Sequence, residues 1–184
     1  MVERKPSGKR HGTWGSSRDR AAPVGMTVKT KIERGDRYSA PEIYNLEITV
    51  LQLLRGKEAW DRIGPQDAFE SDFKAGFEPI LTYLRFGYFS KGRGFRRRSE
   101  PYKIAESSFI AISGDGKMEY EVPSLEKQPQ PQLINMPMTP GDIKEGWIAL
   151  QVFQREKKPF LLFKREYSRN TYGFWGPVWF KLFS

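Results

Sequence analysis

Apolar and polar residues alternate along much of this chain with a period of two, as in a strand with one face buried and the other wet. Met26, Val28, Thr30 and Ile32 alternate with Thr27, Lys29 and Lys31, and Leu46, Ile48 and Val50 alternate with Glu47 and Thr49. Two half-buried strands follow from this, joined by the polar stretch around Gly35 and Asp36. Gly56 ends the second strand, and the period then changes. Residues 57–63 (KEAWDRI) are good helix formers, with Ala59, Trp60 and Ile63 on one face of a short helix. Residues 77–89 are the most apolar stretch: Ile80, Thr82, Leu84, Phe86 and Tyr88 lie on one side, with Leu81, Tyr83 and Phe89 on the other. A central strand covered on both faces has this composition.

Residues 109–112 and 118–122 flank Gly114-Asp115-Gly116 and predict a hairpin, because Asp-Gly supplies the positive φ angles of tight hairpin turns. Pro123, Pro129, Pro131, Pro137 and Pro140 keep the next stretch irregular apart from a short strand over 133–136. Residues 146–153, with Ile148, Leu150 and Val152 alternating, then 160–163 and 178–183, supply the last strands. Seven or eight short strands separated by turn signals give an all-β fold: an immunoglobulin-like, two-sheet antiparallel sandwich with one short helix after the second strand. The sandwich is expected over 26–184. Residues 1–25 carry Arg4, Lys5, Lys9, Arg10, Arg18 and Arg20 with almost nothing apolar, and are expected to be a basic, disordered tail.

Charge adds a partner class. The 184 residues hold 31 Lys and Arg against 22 Asp and Glu, a formal net charge of +9, which attracts polyanions without selecting one. The absence of cysteine excludes disulfides, thiol catalysis and thiolate metal sites within the chain. No apolar run approaches the roughly 18 residues of a membrane-spanning helix, and residues 1–25 lack the apolar core of a signal peptide.

The order of segments resembles a large bacterial family of immunoglobulin-like β-sandwich domains of unknown function, related to the secreted "immunoprotective extracellular" antigen fold. The resemblance is carried by Pro23-Val24-Gly25, by Leu46 to Val50 followed by Arg55-Gly56-Lys57-Glu58-Ala59-Trp60, and by Tyr102-Lys103-Ile104 before Phe109. It continues through Pro140-Gly141 into Glu145-Gly146-Trp147, Gln151-Val152, Lys158 to Phe163, and Trp179-Phe180, spanning residues 13–182. It implies a non-catalytic domain outside the cytoplasm, secreted or tethered at the cell envelope, with no established catalytic residues. This chain departs from the family in having no signal peptide or lipobox cysteine, which leaves a cytoplasmic location as the alternative, and in its basic loop at 91–98.

That loop is the principal candidate site. Lys91, Arg93, Arg96, Arg97 and Arg98 place five cations in eight residues beside Phe95, a pattern that pairs anionic groups while an aromatic ring stacks. Charge runs are more often merely solvated surface, and the resemblance of 91–95 to an RNA-recognition signature ends where arginines replace the strand residues that should follow. Tyr172 and Trp175, in a Gly-containing turn, form a second candidate contact surface, whereas Trp179, Phe180, Trp60 and Trp147 are expected to pack. The only histidine, His11, lies in the tail, so no Ser-His-Asp arrangement or histidine metal site is expected. Asp61 with Asp67, and Glu70 with Asp72, could in principle serve glycoside chemistry or Ca²⁺, but neither pair matches an EF-hand loop or sits where a rigid separation follows from the sequence, and both are expected to be solvated acids. The sequence therefore predicts no enzyme, no cofactor and no metal. Its expected partner is a protein or an acidic surface polymer, with nucleic acid as the alternative, and its oligomeric state is open.

Overall fold

The computed structural model describes residues 13–34, 42–64, 75–90, 101–123, 125, 128–164 and 176–183. Among the described residues there are nine strands: β1 (Thr27–Arg34), β2 (Glu42–Arg55), β3 (Phe77–Ser90), β4 (Tyr102–Lys103), β5 (Phe109–Ile112), β6 (Pro137–Met138), β7 (Ile143–Phe153), β8 (Phe160–Phe163) and β9 (Val178–Lys181). One helix, α1 (Lys57–Ile63), follows β2 at Gly56, as the change of period predicts. The large sheet has the order β1-β2-β3-β7, the second β5-β8-β9, and β4 pairs with β6 in a short ribbon. All of these strand pairs are antiparallel.

The two larger sheets pack face to face, which makes the fold an all-β sandwich. Between them lie Val28, Leu46, Ile48, Ile80, Leu84, Phe86, Ile148 and Leu150 from the large sheet, facing Phe109, Leu161, Phe163 and Phe180. Phe86 sits 5.8 Å from Phe163 and 6.4 Å from Phe109 in edge-to-face contacts across the sheets. On the outer face of the large sheet, Ala59 of α1, Leu81, Leu125, Trp147 and Ala149 form a second cluster with Trp60 at its margin. The two-sided apolar pattern of 77–89 thus has two causes: the sandwich core on one side, and helix α1 on the other. Trp60, Trp147 and Phe180 pack as expected, and Trp179 meets Phe160 edge-on at 5.9 Å on the outer face of the second sheet.

β2 ends at Arg55, just before Gly56, as expected, but a bulge between Val50 and Gln52 puts its last residues out of the earlier parity. Leu51 then stands 37 % exposed while Leu53 packs toward the core, which simple alternation could not mark. Three local readings change. The hairpin turn at 113–118 uses one positive φ, at Gly116 (+77°), and Asp115 contributes through its side chain instead. Residues 133–136 are a turn with Asn135 at φ +62°, and the short strand begins at Pro137.

The third change concerns residues 13–25, read from composition as tail. They are built into the sandwich: Ala21 and Ala22 are fully buried, and Ala22 bridges Phe180 in parallel. Backbone hydrogen bonds from Trp179 N–H to the Gly15 carbonyl and from Ala22 N–H to the Trp179 carbonyl, both 2.9 Å, cover the outer edge of β9. Two small buried alanines among cations give no periodic signal, so a composition argument misses this segment.

Candidate functional site

Every candidate residue named from the sequence, namely Lys91, Arg93, Phe95, Arg96, Arg97, Arg98, Tyr172 and Trp175, lies outside the described residues, as do His11, Asp67, Glu70 and Asp72. The residues on which these segments are mounted are described. The basic loop leaves β3 at Ser90 and returns at Pro101, and Ser90 pairs with Tyr44 near the start of β2. β8 runs from the turn at 154–159 toward Phe163, which faces Phe86, and β9 begins beside it at Val178. The segment holding Tyr172 and Trp175 therefore has its anchors toward the same end of the sandwich as Ser90.

An aromatic stack with one cation occupies that end. Tyr44 and Tyr88 stack with ring centroids 4.8 Å apart, and Tyr88 stacks on Tyr102 at 5.1 Å. Arg34, the last residue of β1, donates from Nη1 to the Tyr88 hydroxyl at 3.1 Å and from Nη2 to the Pro101 carbonyl at 3.5 Å. Its guanidinium lies 5.5 Å from the Tyr102 ring centroid and 6.0 Å from that of Tyr44, within cation–π range. Tyr44 donates its own hydroxyl proton to Glu42 at 2.6 Å. Burial, aided by the Glu42 carboxylate, raises the Tyr44 phenol well above its usual range, and burial raises Tyr88 as well. Both phenols stay neutral at physiological pH: Tyr44 donates to Glu42, Tyr88 accepts from Arg34, and their rings stack. Sequence reasoning placed Tyr88 in the core face of its strand but gave no sign of the stack, because its members come from β2, β3 and β4 and only strand pairing aligns them.

At the opposite end, the 113–118 turn and the 153–156 turn enclose an open cleft of about 680 Å³. Glu156 organises it: its carboxylate accepts from Gly114 N–H at 3.2 Å, from the Tyr120 hydroxyl at 3.2 Å and from Lys158 N–H at 3.0 Å. Arg55 donates to the Glu156 carbonyl and, at 2.6 Å, to the Glu78 carboxylate, tying β2 and β3 to the turn. Burial, with the adjacent Glu156 charge, pushes the Tyr120 phenol up to about 12. Asp115 accepts from the Ser113 hydroxyl at 2.6 Å and from Lys117 N–H at 3.0 Å, and these bonds lower its carboxyl below the usual range. Gly76, Met118, Phe153, Gln154 and Arg155 complete the lining. The sequence signal for this cleft was slight: Phe153 falls on the outward phase of β7, one residue beyond the inward series Ile148, Leu150 and Val152.

Among the described residues, no three His, Cys, Asp or Glu side chains converge as metal ligands, and no helix is long and apolar enough to cross a membrane. No protein-family model, curated protein or solved structure matches this chain. Its two ends are the places where chemistry concentrates.

Proposed function

We propose that the protein is a non-catalytic binding module, placed outside the cytoplasm at the cell envelope, that engages an acidic surface polymer or an acidic protein through one end of its sandwich. The observation that carries this reading is the convergence of anchors. Ser90 and Pro101, which hold the five-cation loop, lie beside the Arg34–Tyr88 contact, and Phe163 and Val178, which hold the Tyr172 and Trp175 segment, face the same end. Loops gathered at one end of a sandwich can contact a ligand together while the two sheets stay rigid behind them. The location outside the cytoplasm rests on the resemblance of residues 13–182 to envelope-associated immunoglobulin-like domains.

The test is equilibrium binding of the full chain to fluorescent poly-L-glutamate and to oligothymidylate as a function of salt. Counterion release makes such binding fall steeply as salt rises. Replacing Arg96, Arg97 and Arg98 together by Ala is expected to weaken poly-L-glutamate binding at least tenfold. For oligothymidylate, three lost contacts would lower the salt slope by about 2. A triple variant that binds like the parent overturns the proposal. Oligothymidylate binding far tighter than poly-L-glutamate at equal charge favours an intracellular nucleic-acid-binding role instead.

A further inference from the structure

We propose that the cleft between the 113–118 and 153–156 turns is a binding site for a small organic anion with an apolar body, such as a medium-chain carboxylate. The site is distinct from the basic end and lies at the other extreme of the sandwich.

Three observations carry the assignment. The first is size: about 680 Å³ falls within the roughly 300–1,000 Å³ of small-ligand sites. The second is an apolar floor that the fold leaves uncovered. Phe153 is 40 % exposed and Met118 39 %, and both line this one cleft. Phe153 is held by Phe77 at 4.3 Å and by the edge of Tyr120 at 5.7 Å, so it offers a fixed apolar surface to a ligand.

The third is charge. Both carboxylates of the rim are engaged by neutral donors of the protein: Glu156 accepts from the Gly114 and Lys158 N–H groups and the Tyr120 hydroxyl, and Asp115 from the Lys117 N–H and the Ser113 hydroxyl. Two cations that line the same cleft, Lys117 and Arg155, form no ion pair with a described residue. An anionic head meeting Lys117 and Arg155 would let its apolar body lie on Met118 and Phe153. The walls are set before the ligand arrives: Ser113 N–H bonds the Met118 carbonyl at 2.8 Å, Gly116 N–H bonds the Ser113 carbonyl at 2.8 Å, and Arg18 braces the turn at the Asp115 carbonyl. Such pre-organisation lowers the ordering cost of binding.

The experiment is titration of the full, isotope-labelled chain with octanoate, followed by amide chemical shifts, with octanamide as the uncharged isostere. Saturable shifts confined to Gly76 and to residues 113–118 and 153–156 are expected. Octanamide, and octanoate with the K117A/R155A variant, should each bind about tenfold more weakly. The F153S variant should lose saturation while keeping the parent's spectral dispersion elsewhere. Shifts that never saturate, shifts centred on Tyr88 and Tyr102 at the other end, or equal binding of octanoate and octanamide would each overturn the assignment.

Discussion

The guanidinium of Arg34 on β1 donates a 3.1 Å hydrogen bond to the hydroxyl of Tyr88 on β3, two strands away across the sheet. The same group lies over the Tyr102 ring of the β4 ribbon and bonds the carbonyl that follows the basic loop. One side chain therefore ties together three elements at the end proposed to bind. Hydrogen bonds to charged groups contribute about 1.5–3 kcal/mol and cation–π contacts about 0.5–1 kcal/mol at exposed sites, with partial exposure reducing the sum. Arg34→Ala is expected to cost about 2 kcal/mol, read from the urea midpoint at unchanged slope. Arg34→Lys should recover only part of this, since an ammonium cannot span both acceptors and the rings.

Gly146 is required by a close approach. A Cβ built there would sit 2.7 Å from Gln132 C, 2.7 Å from Leu133 N and 2.8 Å from the Pro131 carbonyl oxygen. All three are backbone atoms of the segment that bridges the edge of β7 through Trp147, where Trp147 N–H bonds the Pro131 carbonyl at 2.7 Å. Gly146→Ala should cost at least the roughly 1–3 kcal/mol of core overpacking. Faster hydrogen exchange of the Trp147 and Leu133 amides would locate the damage, and wild-type exchange at both would contradict it.

The tyrosines predict an alkaline limit. The Tyr120 phenol is raised from 10.0 to about 12 by burial and by Glu156. The folded state thus favours the protonated phenol; this contribution is intact below pH 10.0 and is lost as pH rises through about 12. Absorbance at 295 nm should show some of the eight tyrosines ionising well after the rest. Tyr120→Phe should remove part of that late amplitude and lessen the fall in Tm above pH 10.0. A single titration of full amplitude centred near the usual tyrosine value would refute the effect.

Leu46 and Leu51 share a strand and differ in fate. Leu46 is fully buried between the sheets, whereas Leu51, at the bulge, is 37 % exposed. Leu46→Ala is expected to cost about 2–5 kcal/mol and Leu51→Ala about 1 kcal/mol or less. Equal midpoints for the two variants in urea would show that the bulge does not set the inward face.

How much was legible follows from how each signal arises. The alternation of Leu46, Ile48 and Val50, the Phe-rich run 160–163 and the helical spacing of Ala59, Trp60 and Ile63 each report burial of a local face, and each appears as an element where it was predicted. The bulge within β2 and the packing of Ala21 and Ala22 leave no such trace, because one reverses the period and the other is too short to have one. The basic segment stood out as a charge run, but the contact of Arg34 with Tyr88 and Pro101 depends on strands brought together from separate parts of the chain.

The sequence by itself determined an all-β chain with one short helix, its apolar strand faces and its excess of positive charge, since periodicity and composition are properties of neighbouring residues. Only the tertiary structure decided that Tyr44, Tyr88 and Tyr102 stack beside Ser90, and that Met118 and Phe153 line one cleft with Lys117 and Arg155. Those relations join residues from different strands and turns, and antiparallel pairing and sheet packing, which act across long stretches of chain, set them.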